Sequence, residues 1–445
     1  MLATLLGVII AFVVIILLIR KQTNFLKFPI LNEIKFGLLM IIGALILGVF
    51  SLEKIQPSDI LKSIVDSIIY HFKNQPLSSI IDNFDIKNIY FDTIELALLT
   101  TLIYILAKLL QETGSIKKLI DSLRMFFSKG GILGVIPAVY GFMPIPGGAL
   151  LSAPMIDAEG DKYGLDKNQK NFLNMWFRHI WEPIFPVFPA LILICSAEFA
   201  NINVFALSLV DMPVFIAAII IGFVFLKKFI KKTTVQQTKT AKNNYGLLFI
   251  LPPILPLFVY IVLQFFGFSQ TLSFLIGIFF SILLLYFLTK INIKEYWRII
   301  KKSFTWRFIA AIFGIMIFRG MFEATGANVI VANLIVGLSV PTIAIIILIP
   351  FILGLLIGYN LGAIALSYFL VEPFFLVTGL SHLGLTSIVF ISTLAGYLIS
   401  PIHFCNVLSS DYLKTDPTRI YKWFIPASIS LLLVQAVFVV VFFRI

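Results

Sequence analysis

Cysteine and charge are what this sequence has least of: two Cys, and 13% Asp, Glu, Lys and Arg, in 445 residues. Cys195 and Cys405 lie in or beside apolar runs, so neither a disulfide framework nor a Cys-rich metal site is indicated. A soluble domain carries about 25% charged residues. This chain is 60% apolar, with 45 Phe, and cannot cover itself with a polar surface. There is no G-x-x-x-x-G-K-[ST] run, no G-x-S-x-G elbow and no H-E-x-x-H helix, which excludes P-loop ATP hydrolysis and leaves two common hydrolase chemistries without a motif. What remains is an all-α polytopic membrane protein lodged in a lipid bilayer, with no catalytic residues and no resident cofactor expected.

Acids are scarce in particular places. Loops 20–35, 111–130, 227–243, 290–307 and 412–422 hold 23 of the 34 Lys and Arg but five acids, whereas 53–92 carries four Lys against six acids. The net charge of +12 therefore reads as the positive-inside bias of cytoplasmic loops, and no nucleic-acid partner is expected. The first apolar run, Leu2 to Ile19, has no basic residue ahead of it and Arg20 and Lys21 behind it. A secretory signal has the opposite order, so this run reads as a retained span with its N-terminus outside.

A span takes roughly 20 apolar residues, and about ten fit: Leu2 to Ile19, Phe36 to Phe50, Thr93 to Leu110, Phe172 to Cys195, Val204 to Leu226, Leu247 to Phe266, Thr271 to Leu288, Phe308 to Met321, Ser387 to Ile399 and Trp423 to Phe443. Two other apolar regions are interrupted. Near 131–155, Pro137 is followed by Tyr140-Gly141-Phe142-Met143-Pro144-Ile145-Pro146-Gly147-Gly148-Ala149, and no helix runs unbroken through two prolines and a glycine pair. Each arm has the length of half a bilayer, so a re-entrant hairpin is expected. Near 346–370, Gly354, Gly358 and Gly362 would line one helix face if the helix were continuous, while Asn360 favours a break.

These regions are related by internal repetition. Glu112-Thr113-Gly114 returns as Glu323-Ala324-Thr325-Gly326, Ile132-Leu133-Gly134 as Ile352-Leu353-Gly354, and Pro183 as Pro401. The chain then divides into N-terminal spans and an external segment (1–92), a first repeat (93–226), a basic cytoplasmic linker (227–243), two connecting spans with a basic loop (244–307) and a second repeat (308–445). Charge bias gives the repeats opposite orientations. Two re-entrant hairpins in an inverted repeat describe a secondary transporter.

Non-helical backbone at membrane depth must line a protein cavity. The tips Pro144, Pro146, Gly147 and Gly148, and Gly358, Asn360 and Gly362, are therefore the candidate substrate contacts, their N–H groups suited to an anion. Charge at depth is costly, which singles out Arg178, His179 and Glu182 beside Pro183, Arg319 and Glu323, and His403, Asn406 and Asp411 after Pro401. Arg178 and Glu182 are spaced to pair on one helix face, as are Arg319 and Glu323. Glu182, His403, Asn406 and Asp411 are the candidates for binding a coupling ion. His179 and Glu182 make half of a metal site with no second ligand pair visible, so no metal is expected. His71 and His382 read as loop residues.

The block from Phe142 to Met155, Phe-Met-Pro-Ile-Pro-Gly-Gly-Ala-Leu-Leu-Ser-Ala-Pro-Met, followed by Trp176 to Pro183, resembles an uncharacterised family of prokaryotic multi-spanning proteins. That family is grouped with the ion transporter superfamily of gluconate permeases, dicarboxylate/sodium symporters, arsenite exporters and Na⁺/H⁺ antiporters. The resemblance implies hairpin tips that meet near the midplane of a prokaryotic cytoplasmic membrane, often in a homodimer. The chain lacks the Ser-Asn-Thr tips of the dicarboxylate/sodium symporters. The leading expectation is secondary transport of a small organic anion coupled to H⁺ or Na⁺. The alternatives are a cation/proton antiporter, an intramembrane enzyme acting on lipid or peptide with His179, Glu182, His403 and Asp411 at its centre, and a non-transporting scaffold.

Overall fold

A computed structural model describes residues 1–20, 33–69, 92–127, 130–143, 147–230, 244–337 and 340–444. Among the described residues the chain is helical, and the one β-type contact is an isolated bridge between Leu380 and Arg444. The first half comprises α1 (Leu2–Arg20), α2 (Lys35–Phe50), α3 (Pro57–Ile69), α4 (Asp92–Glu112), α5 (Ser115–Leu123), α6 (Ile132–Gly141), α7 (Ala149–Lys162), α8 (Lys167–His179), α9 (Pro189–Cys195), α10 (Val204–Val210) and α11 (Met212–Phe229). The second comprises α12 (Leu251–Phe265), α13 (Gln270–Thr289), α14 (Ile293–Ser303), α15 (Trp306–Ala324), α16 (Ala327–Val336), α17 (Thr342–Ile357), α18 (Asn360–Val371), α19 (His382–Leu398), α20 (Phe404–Leu413) and α21 (Tyr421–Phe442).

Eight segments among the described residues are long and apolar enough to cross a bilayer, and Lys35–Phe50, Ile132–Gly141, Thr342–Ile357 and His382–Leu398 are shorter apolar helices. Phe265, Phe287 and Val437 stay exposed, as the lipid-facing side of such helices must. This is a multi-pass membrane protein. Two of the expected spans are not single helices, and a third has a different start. Phe172 to Cys195 is interrupted between His179 and Pro189, Val204 to Leu226 turns at Asp211, and Ser387 to Ile399 begins five residues earlier, so that His382 opens α19 instead of lying in a loop. Pro183, Pro186 and Pro213 lack the N–H that would continue a helix. His71 and most of the 227–243 linker lie outside the described residues.

The halves run through matching elements. The pair α1 and α2 packs together as α12 and α13 do, and each pair is followed by a short helix, then a long one. Contacts then cross between halves: α2 and α3 pack on α15, while α13 and α14 pack on α4. The repeated Thr-Gly joints have matching geometry. Thr113 Oγ1 donates to the Leu109 carbonyl at 2.7 Å and Thr325 Oγ1 to that of Met321 at 2.8 Å. Gly114 and Gly326 follow at φ +70° and +66°, a conformation that a residue without Cβ adopts freely.

Both expected hairpins are broken helix pairs. In the first, α6 ends at Gly141 and α7 starts at Ala149. In the second, α17 ends at Ile357, Gly358 turns at φ +65° and α18 starts at Asn360. The continuous face of Gly354, Gly358 and Gly362 therefore does not form. The second arm of each hairpin packs against the far half of the other unit's broken helix, α7 against α20 and α18 against α9.

Candidate functional site

Four interruptions meet at one place. Asp166 and Gln169 form a capping box that fixes the start of α8; the helix ends at His179, and residues 180–188 run without a continuous helix until Pro189 opens α9. Ser381 caps α19, which ends at Leu398, and His403 stands at the N-cap of α20. The ends of these helices and of the two hairpins surround a cavity of about 810 Å³. Gly147, Asn360, Leu361, Phe404 and Cys405 line it, so the N-termini of α7, α18 and α20 all open onto one space. Unpaired N–H groups and the partial positive charge of helix N-termini make such a space favourable to an anion.

Basic side chains reinforce this. Arg178, Lys35 and Arg307 line the cavity, with Glu33, Glu182 and Asp411 as its acids. Arg178 is buried and donates to the carbonyl of Tyr140 at 2.9 Å and towards that of Met143 at 3.4 Å. It ties the end of α8 to the first hairpin by bonding to carbonyls at the end of α6. A Cβ on Gly148 would overlap the Arg178 guanidinium, which is why the tip carries glycine there.

The expected pairing of Arg178 with Glu182 does not form, because the helix stops between them. Glu182 instead lies 3.8 Å from His179 Nε2 and accepts from Tyr397 at 3.4 Å. His179 Nδ1 is 2.6 Å from the Met175 carbonyl, which leaves Nε2 directed at Glu182. The His179 and His403 ring centroids are 4.9 Å apart, and Tyr397 and His403 4.2 Å. Ligand atoms of His179, His403 and Cys405 all lie within 4.8 Å of one another, and all three residues are buried. The second ligand pair that the sequence did not display is thus supplied by the other half of the chain.

The remaining candidates divide. Gly147, Gly358, Asn360, Glu182, His403 and Asp411 line the cavity. Gly362 does not; it packs against the Phe36 ring. Asn406 is committed elsewhere, accepting from Asn171 at 3.3 Å and donating to the Pro417 carbonyl at 3.2 Å. Pro144 and Pro146 lie outside the described residues. The Arg319 and Glu323 pair forms at 3.0 Å, and Arg319 also bonds Glu198.

Several polar residues were not legible. Lys35, Arg307 and Tyr397 join the cavity from distant segments. Asn174 donates to the Ala149 carbonyl and to Ser409, both at 2.9 Å, and Ser152 donates to Asn174 at 2.5 Å. This network ties the first hairpin to α8 and α20. Asp211, fully buried away from the cavity, accepts from Ser387 and Gln435. The sequence signal for Cys405 was its place two residues after His403, beyond the Pro401 break.

No curated protein matches the chain. The family described as protein of unknown function (DUF401) matches residues 38–441, beginning in α2, well before the hairpin block on which the resemblance rested, and the chain belongs to that family.

Proposed function

We propose that this protein is a secondary active transporter that moves a small organic anion across the cytoplasmic membrane of a prokaryote, coupled to H⁺ or Na⁺. The observation that carries the reading is the cavity onto which the N-termini of α7, α18 and α20 open together with Arg178. Separate broken helices from both halves of a chain, meeting at one polar cavity, are the architecture by which transporters bind cargo at the midplane. The likeness to the ion transporter superfamily points the same way.

Topology supports it. With the N-terminus outside, α1, α2, α4, α8 with α9, α11, α12, α13, α15, α19 with α20, and α21 make ten crossings. Two of them separate each basic loop from the next, while each hairpin returns to the side it entered. All five basic loops then fall on the cytoplasmic side, as the positive-inside rule requires, and the halves are inverted. Glu33, Lys35, Arg307 and Asp411, at the loop ends of their helices, line the cavity, which gives it a cytoplasmic opening.

The test is uptake of labelled organic anions by proteoliposomes under an imposed pH or Na⁺ gradient. The native protein should accumulate anion above protein-free vesicles. Arg178→Gln should lower uptake about tenfold to hundredfold, as expected for a lost charged hydrogen-bond donor. Stabilisation by Na⁺ alone, with no anion effect on melting or uptake, would replace this reading with cation/proton antiport.

A further inference from the structure

Beside the helix N-termini that suit an anion, the cavity wall carries a set of metal-type donors. His179 stands at the end of α8, Glu182 in the break that follows it, and His403 and Cys405 at the start of α20. We propose that His179, His403 and Cys405, with Glu182 as fourth ligand, bind one borderline-soft divalent cation of the Zn²⁺ class.

Four observations carry this. The donor set is two imidazoles, a thiol and a carboxylate, the combination that selects zinc-like ions over Mg²⁺ or Ca²⁺. The ligand atoms of the first three lie within 4.8 Å of one another, and Glu182 Oε1 is 3.8 Å from His179 Nε2. Bond lengths of about 2.0–2.3 Å put tetrahedral ligands roughly 3.3–3.6 Å apart, so His179, His403 and Cys405 close on an ion with a contraction of up to about 1.5 Å, and the Glu182 carboxylate turns in from beside His179 to complete the set. Three of the four lie in a break or in the first turn of α20, where the backbone can supply it.

The outer contacts suit the purpose as well. A metal-binding imidazole usually hands its other nitrogen to a carbonyl, which fixes ring and tautomer. His179 Nδ1 does this with Met175 at 2.6 Å. His403 is 1% exposed, and neither of its buried ring nitrogens has a hydrogen-bond partner among the described residues. Finally, the charges close: a thiolate and a carboxylate neutralise a divalent cation, and a neutral centre is far cheaper at membrane depth than either anion alone.

The experiment uses the tag-free, full-length chain in detergent, stripped of metal and titrated with Co²⁺ as a spectroscopic stand-in. One Co²⁺ per chain should bind, with a sulfur-to-cobalt charge-transfer band in the near ultraviolet and visible bands of four-coordinate intensity, and Zn²⁺ should displace it. Cys405→Ser should remove the charge-transfer band. His179→Gln and His403→Gln should each weaken Co²⁺ binding by at least about tenfold, while Cys195→Ser, at the other buried cysteine, changes nothing. A native protein without the charge-transfer band overturns the site whether or not any variant folds, and so does a band that survives Cys405→Ser. The spectrum needs no transport, so a protein that shows the band but moves no anion would sink the transport reading and leave this one standing.

Discussion

The first hairpin and its broken helix are held by charge and side-chain hydrogen bonds. Lys170 of α8 reaches both Asp157 and Asp161 of α7 at 2.6 Å, and Glu159 takes Arg124 at 2.8 Å and Lys162 at 3.1 Å. The second unit is joined by backbone instead. A Cβ on Gly354 of α17 would overlap the Thr393 carbonyl of α19, and one on Gly396 of α19 would overlap the Phe351 carbonyl of α17. Matching elements can therefore be fastened in different ways. Each fastening has a physical reason in the topology proposed above: the first hairpin would have its base at the basic cytoplasmic face, where ions stay hydrated, whereas the α17–α19 seam is almost wholly apolar and gains most from close packing.

The sharpest way to break this contrast is at the two glycines that the repeat aligns. A Cβ on Gly134 would come within 3.2 Å of the Phe177 ring, a side chain that can yield. Gly354 faces backbone that cannot. Gly354→Ala should cost about 1–3 kcal/mol, the usual penalty for overpacking. Gly134→Ala should stay within about 0.5 kcal/mol, since alanine's better helix propensity offsets the contact. Thermal unfolding in detergent reads both, and equal losses would mean that the units are fastened alike.

Much of this architecture is written in local residue patterns. Pro183 and Pro401 mark breaks because proline cannot continue a helix, and Thr-Gly marks two helix joints because threonine and glycine have fixed local roles there. The cavity lining is different in kind. Lys35 and Arg307 reach it through tertiary packing, and Cys405 meets His179 only because the contact of α8 with α20 brings together residues more than two hundred positions apart. Arg178 shows the limit of spacing arguments: four residues from Glu182, it was expected to pair along a helix face, but the helix ends first. Asp211 falls inside the expected span Val204 to Leu226 but has no partner at helical spacing to single it out; it is completely buried, and tertiary packing brings it Ser387 and Gln435.

The ionic fastening of the first unit can be tested at Lys170. Its side chain is 3% exposed, whereas Asp157 and Asp161 are 38% and 72% exposed. Lys170→Met should cost about 1–2 kcal/mol, less than a fully buried ion pair, because both carboxylates can return to water. High salt should shrink the difference from the native protein. A loss that ignores salt would assign the effect to packing of the lysine stem.

Glu159 offers the smallest and most specific effect. Burial pushes its carboxyl up, but the hydrogen bonds from Arg124 and Lys162 outweigh burial and hold it below the usual glutamate range. A depressed carboxyl contributes stability that is complete above its unfolded pKa and is lost as pH falls through the folded one. Glu159→Gln should therefore cost about 1 kcal/mol near neutrality, since the amide oxygen still accepts hydrogen bonds. The melting temperatures of native and variant protein should converge as the pH drops below the glutamate range. No residue of the α17–α19 seam should reproduce that convergence, since its contacts are backbone against glycine and carry no proton. A gap between native and Glu159→Gln protein that persists into acid would mean that the first hairpin, like the second, is held by shape instead of charge.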